Sequence, residues 1–272
     1  LNKAFSCASY GDMVTSAVDE VEIVEDVVTL RPLFEETLAA PNCSKLELDF
    51  GSGLCFKLLQ RPEHFMREAR DATLSATESS RRTSCVAWDA SVVLAGILVS
   101  AEAKNGGSPA SLWHRWAAAA AIGVVELGAG ETGLAGLMAA RLLKCPCYLT
   151  DLPEVIPHLQ RNIESDNVTR ANVHAVAFQW GVECVPAPLP QPCGLILAAD
   201  CLYDTENVEP FVNALLKLSG PCTECLVAFD TALQRWGAYD TFLELAKQHW
   251  HVEMLPWEMQ LENFKKHEVR TY

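Results

Sequence analysis

Apolar residues along this chain fall into short continuous runs separated by stretches with a helical period. Five runs of strand length, Ile122–Leu127, Cys147–Thr150, Val173–Ala177, Gly194–Ala199 and Cys225–Phe229, are rich in aliphatic residues. Between them, Thr132–Leu143, Pro153–Asp166, Asn207–Leu218 and Trp236–His249 carry apolar positions at helical spacing. Trp88–Ala101 has the same spacing, with Asp89 near its start, where a carboxylate suits the helix dipole. Two late strands are predicted near His251–Leu255 and His267–Tyr272. Short apolar strands alternating with helices predict an α/β fold: a mostly parallel sheet with helices on both faces.

The N-terminal part reads differently. Residues 1–44 are acidic and weakly patterned, with a short helix predicted around Pro32–Ala40. Lys45–Phe50, the turn Gly51-Ser52-Gly53 and Leu54–Gln60 predict a β-hairpin. Residues 61–84 are charged and Ser/Thr-rich, which predicts a mobile insertion or a solvated helix. Residues 104–111 read as a Gly/Ser/Pro loop. The chain therefore divides into an extension, 1–84, holding the hairpin and the mobile insertion, and a catalytic-type α/β domain, 85–272.

Composition narrows the possibilities. The formal net charge of −14 over 272 residues argues against a phosphate-backbone binder, which needs a basic stripe. It suits basic peptides or lysine-bearing proteins as partners. Eleven cysteines without framework spacing indicate free thiols in a reducing compartment, so the cytoplasm is expected, with the nucleus as a second location. Cys222 and Cys225 form one C-x-x-C, but no second ligand pair accompanies it, and no metal site is expected. The opening residues lack the apolar core of a signal peptide, and the apolar runs fall short of the roughly 20 residues of a membrane span. No membrane partner and no nucleic acid are expected, and the chain is expected to be a monomer.

In an open parallel sheet, ligands sit beyond the C-terminal ends of the strands. After the first strand comes Glu126-Leu127-Gly128-Ala129-Gly130-Glu131-Thr132-Gly133. Gly128, Gly130 and Gly133 spell G-x-G-x-x-G, the dinucleotide fingerprint, but Glu126 and Glu131 would repel a pyrophosphate. S-adenosylmethionine carries no phosphate and is a net cation, so an acidic wall favours it over NAD. After the second strand stands Asp151, 18 positions beyond Gly133, placed to accept both hydroxyls of a ribose or to cap the next helix, which Pro153 also favours. Trp180 follows the third strand, as a face for an adenine or as a core aromatic. Ala199-Asp200-Cys201-Leu202-Tyr203 follows the fourth, where Asp200 and Tyr203 either work on a substrate or serve as a cap and a core residue.

Five stretches occur in order: Cys85-Val86-Ala87-Trp88-Asp89-Ala90-Ser91-Val92-Val93-Leu94, "VVELGAGETGLAGLMAA", "YLTDLPEVIPHLQRNI", "FQWG" and "LILAADCLYDTENVEPFVNALLKLSG". Together they resemble the protein-lysine methyltransferases of methyltransferase family 16. That resemblance implies a Rossmann-like, seven-stranded S-adenosylmethionine-dependent methyltransferase sheet with helices on both faces, here with an N-terminal β-hairpin extension. It implies a lysine of a folded protein, such as a chaperone or AAA ATPase, as acceptor. Trp88, Glu126, Gly128, Gly130, Asp151, Trp180 and Ala199 would bind S-adenosyl-L-methionine. Asp200 and Tyr203 match the D-x-x-Y motif beside the transferred methyl and would be catalytic. A small-molecule methyltransferase, or a non-catalytic cofactor-binding interaction module, are the alternatives. One departure stands out: most relatives read G-x-G-T-G, whereas here Glu131 precedes Thr132-Gly133, which leaves the role of Gly133 open.

Overall fold

The computed structural model describes residues 28–29, 43–64, 83–104, 111–169, 171–231 and 236–272. The helix expected at Pro32–Ala40, residues 65–82 of the expected insertion and residues 105–110 of the Gly/Ser/Pro loop lie outside the described residues.

The hairpin forms as expected. Strand β2 (Lys45–Asp49) pairs antiparallel with β3 (Cys55–Leu59), and the two-residue β1 (Val28–Thr29) runs parallel to β2. Alternation places Leu46, Leu48, Phe56 and Leu58 on one buried face, each at 2% exposure or less. That face joins the same core as the helices α1 (Asp89–Ala103) and α3 (Leu134–Leu143). At roughly 1.5–3 kcal/mol for each large side chain fully buried, this contact outweighs any polar contact the hairpin makes.

The main sheet has six strands in the order β6-β5-β4-β7-β8-β9. Strands β4 (Val124–Leu127), β5 (Cys147–Asp151), β6 (Val173–Ala177), β7 (Leu195–Ala199) and β8 (Glu224–Asp230) are parallel, and β9 (Val269–Thr271) is antiparallel to β8. Every residue of β4 is buried, as expected of a central strand covered on both faces. Helices α1, α3 and α4 (Ile156–Ser165) pack with the hairpin on one face. Helices α5 (Val208–Leu218) and α6 (Trp236–Ala246) cover the other. None of the described helices is long and apolar enough to cross a membrane.

The structure corrects the expectation in two places. The seventh strand, at His251–Leu255, does not form; that segment reaches β9 through a single backbone hydrogen bond, from Leu255 N to Thr271 O at 2.8 Å. His251, Glu253 and Met254 are all exposed, so no apolar face drives pairing, and Pro256 lacks the N–H a ladder needs. Second, the strand expected at Ile122–Leu127 starts later, after a helix, α2 (Leu112–Ala120), capped by Ser111, whose hydroxyl accepts from His114 N. Alanine favours the helix, and Gly123 at φ 131° ends that region, so β4 begins at Val124 rather than Ile122.

The chain runs β4, β5, β6 outward, then returns to β7 on the other side of β4. The reversal puts the loops after β4, β5 and β7 side by side at one end of the sheet, where a ligand is accommodated.

Candidate functional site

The loop after β4 turns at glycines with positive φ, and at two of them a side chain would also collide. A Cβ on Gly128 (φ 64°) would stand 2.7 Å from Cys201 Sγ and 3.3 Å from Trp180 Cζ2. The loop thus lies flat over Cys201, whose thiol donates to Leu127 O at 3.0 Å. A Cβ on Gly133 (φ 55°) would stand 2.4 Å from Leu149 Cδ2 and 2.8 Å from Leu159 Cδ1. Gly133 therefore allows the turn into α3 while Leu149 and Leu159 close in behind it. It belongs to the packing beneath the loop, which answers the question its spacing raised.

Glu126 and Asp151 are both held by main-chain donors. Glu126 Oε2 accepts from Gly136 N at 2.8 Å, at the start of α3. Burial pushes its carboxyl up to about 8 against the pull of the Gly136 N–H. Asp151 Oδ2 accepts from Gly130 N at 2.8 Å and its Oδ1 from Leu152 N at 2.7 Å. Burial raises it less, to about 6, so it is mostly ionised at neutral pH.

Glu131 corrects the sequence-based argument. Its carboxylate does not face a ligand. Arg61 binds it in bidentate fashion, with Nε to Oε2 at 2.9 Å and Nη2 on Oε1, and the side chain of Glu131 is 2% exposed. Its main chain is held as well: N donates to Ser84 O at 2.8 Å, and Asn162 Nδ2 donates to Glu131 O at 2.7 Å. Asn162 also pairs with both backbone groups of Leu59 at the end of β3. Arg61 N in turn donates to Cys85 O at 3.0 Å. The extra residue of the loop is thus a fastening to the hairpin and to both ends of the 61–84 excursion. The repulsion of a pyrophosphate rests on Asp151 and Asp200, because Glu126 holds its proton at neutral pH.

All nine residues expected at the site, Trp88, Glu126, Gly128, Gly130, Asp151, Trp180, Ala199, Asp200 and Tyr203, line one cavity. Trp88 Nε1 donates to Thr83 O at 2.7 Å, which fixes its ring at the wall. Trp180 is braced edge-on by Phe211 at 5.0 Å. Asp200, at φ 53°, occupies a left-handed conformation unusual for a residue with a side chain. It is held there by β8: its N–H donates to Ala228 O at 2.9 Å, and its Oδ1 accepts from Asp230 N at 2.9 Å.

Sequence reasoning missed Thr83, Ser84 and Asn207, which also line the cavity. Thr83 and Ser84 end the excursion whose composition read as solvated, so no apolar period marked them. Asn207 heads α5 four residues after Tyr203, and a polar residue at a helix start reads first as a cap.

Three carboxyl groups, Glu126, Asp151 and Asp200, line the cavity, and no lysine or arginine is among its described lining residues. A pyrophosphate would find no cationic partner there. A sulfonium cofactor with a ribose and an adenine finds a carboxylate at Asp151, aromatic faces at Trp88 and Trp180, and a backbone it can approach at Gly128. The residues present fit S-adenosylmethionine. The described residues hold no cluster of His, Cys, Asp or Glu suited to a metal ion.

Fold and cavity together define a Rossmann-like methyltransferase-type domain. The family of lysine methyltransferases matches residues 68–249, more than half of the chain, and the chain belongs to that family. It is 30% identical over 131 residues to EEF1A lysine methyltransferase 3 of Mus musculus, covering 48% of this chain and 54% of the relative. It is 38% identical over 109 residues to Protein-lysine N-methyltransferase EFM6 of Saccharomyces cerevisiae, covering 35% and 44%. The match thus spans about half the length of these curated relatives. Among solved structures, the mitomycin 7-O-methyltransferase MmcR superposes with a TM-score of 0.48 at 14% identity, over 76% of this chain and 59% of that one.

Proposed function

We propose that this chain transfers methyl groups from S-adenosylmethionine to a lysine of a folded protein. The observation that carries the reading is the shared cavity. Asp200, Tyr203, the glycine loop and Asp151 all line it, and among the described residues no basic side chain does. When bound, the cofactor supplies an electrophilic methyl group. Gly128 and Gly130 let the backbone approach its amino-acid part, Asp151 takes the ribose hydroxyls, and Trp88 and Trp180 flank it.

Asp200 attracts and aims the incoming lysine. Its carboxylate favours the ammonium form, so it is a poor base for that amine. Releasing the proton costs on the order of 4 kcal/mol for a lysine of pKa about 10.4 near pH 7.4. Desolvation against Tyr203 and Trp180 offsets part of that cost. Holding nitrogen and methyl about 3 Å apart in line supplies most of the remaining rate.

The acceptor is proposed to be a protein because the relatives are named for protein lysines, EEF1A among them. The motifs also resemble those of the lysine methyltransferase of valosin-containing protein, which keeps a AAA ATPase or chaperone among the acceptors to be tried. Glu206 and Glu209 are exposed just beyond Tyr203, which favours an acceptor with basic surface around its lysine. A monomer acting in the cytoplasm or nucleus fits this reading.

The test is incubation of cell extract with methyl-labelled cofactor and the full chain, beside its Asp200→Ala variant. Label on a lysine of a discrete protein, lost with the variant, is the expected result. Label confined to small molecules would favour a small-molecule methyltransferase. Cofactor binding by calorimetry without any label transfer would leave an interaction module.

A further inference from the structure

Lys266 lies outside every motif, three residues before β9. Its Nζ donates to Asp89 Oδ2 and, at 2.8 Å, to Asp230 Oδ2. Asp89 is 5% exposed, Asp230 6%, and the lysine side chain 22%. Burial works against its ammonium, yet the bonds from Asp230 and Asp89 outweigh burial and raise its pKa, so it stays charged. Its backbone is fixed too. Gln260, 4% exposed, accepts from Lys266 N at 2.8 Å and donates to Val269 O at 3.0 Å.

The two carboxylates lead to two residues that line the cavity, Trp88 and Asp200. Asp89 follows Trp88 directly and opens α1. Asp230 ends β8, and its N–H is the donor to Asp200 Oδ1. A residue with a Cβ persists in a left-handed conformation only where its surroundings hold it. For Asp200 both observed backbone ties come from the end of β8 that Lys266 tethers. Lys266, Asp89 and Asp230 do not line the cavity themselves.

We propose that Lys266 is a positioning residue for methyl transfer. Its ammonium locks the Trp88–Asp89 corner to the Asp230–Asp200 corner, and so fixes the distance between the cofactor wall and the acceptor carboxylate. The proposal rests on the roles given to Trp88 and Asp200 above. Without the ammonium, Asp89 and Asp230 lose the cation they share and the two corners lose their tie.

The test compares the full chain with Lys266→Met, Lys266→Arg and the double variant Lys266→Met/Asp230→Asn. Melting temperature, S-adenosylhomocysteine affinity and kcat on the labelled protein acceptor are measured for each. The product analogue is used because its lack of a sulfonium removes simple charge attraction from the comparison. Lys266→Met should weaken the analogue severalfold and lower kcat roughly tenfold to a hundredfold, the scale of a misplaced reacting group. The double variant should recover analogue affinity, because the uncompensated charge of Asp230 is gone. Lys266→Arg keeps the charge and the fold but moves the nitrogens, so kcat should fall severalfold with the melting temperature within a few degrees of wild type. The proposal is overturned if Lys266→Met and Lys266→Arg keep affinity and kcat within about twofold of wild type. It is equally overturned if every loss tracks the fraction of folded protein and Asp230→Asn recovers nothing. A wild-type chain that binds no analogue sinks the cofactor reading instead. One that binds but methylates nothing sinks the transferase reading, and the affinity series then decides the role of Lys266 alone.

Discussion

The cavity and the layer behind it bury carboxyl groups in different ways. In the cavity, Glu126 and Asp151 are met by main-chain N–H groups from Gly136, Gly130 and Leu152. Behind the wall, next to Trp88 and at the end of β8, Asp89 and Asp230 are met by a side-chain cation, Lys266. N–H groups satisfy hydrogen bonds but bring no full charge, so burial still lifts Glu126 to about 8 and Asp151 to about 6. A cationic ligand entering the cavity restores what burial removed. The layer behind the wall carries its own counter-charge in Lys266. The cavity is tuned to receive charge, and the layer behind it is built to hold geometry.

The sharpest way to break this contrast is Gly128→Ala. A methyl group 2.7 Å from Cys201 Sγ, on a residue at φ 64°, displaces the loop and leaves the Lys266 corner intact. Cofactor affinity should fall on the order of a hundredfold, read by calorimetry, from roughly 1–3 kcal/mol each of strain and overpacking. Retained affinity would mean that the loop is not the cofactor cradle.

Arg61→Ala should cost about 3 kcal/mol in urea denaturation, because it leaves the buried Glu131 without its cation. Adding Glu131→Gln should restore part of that. An unchanged midpoint would show that main-chain ties alone hold the loop. On the acceptor side, Tyr203→Phe should lower kcat about tenfold, the value of one hydrogen bond made in the transition state, with cofactor affinity unchanged. Equal loss of both would merge the cofactor and acceptor roles that are separated here.

The last expectation concerns the pH dependence of stability without ligand. Glu126 holds its proton up to about pH 8 in the fold and releases it near 4.5 in the unfolded chain. Its stabilising contribution is therefore complete below about 4.5 and is lost as pH rises through 8. Asp151 acts in the same direction between 3.8 and about 6. Stability should fall by on the order of 5 kcal/mol from pH 5 to pH 8, at about 1.4 kcal/mol per pK unit. Glu126→Gln, which can still accept from Gly136 N, should flatten that fall in a series of melting curves. A variant as steep as wild type would place the titrating group elsewhere.

What could be read in advance followed from local physics. The apolar runs of β4 and β7 are short and uninterrupted because both faces are covered, so strand type and sheet class were legible. The rule that ligands sit at strand ends then gathered Gly128, Asp151, Trp180 and Asp200, and all of them do line one cavity. Boundaries were less legible where propensities conflict. The alanines before Gly123 read as apolar, and only the Ser111 cap and the buried Trp113 and Trp116 reveal a helix.

The sequence by itself determined the alternation of strands and helices, the glycine loop and the acidic character of the site, since each depends on neighbours within a few positions. Only the tertiary structure decided what each carboxylate faces. Glu131 meets Arg61 across 70 residues, and Asp89 meets Lys266 across 177. No periodicity encodes such a pair. A buried charge takes whichever partner the packed layers bring within reach, and that is known only once the sheet order has placed β3, α1 and the segment before β9 around the same strand ends.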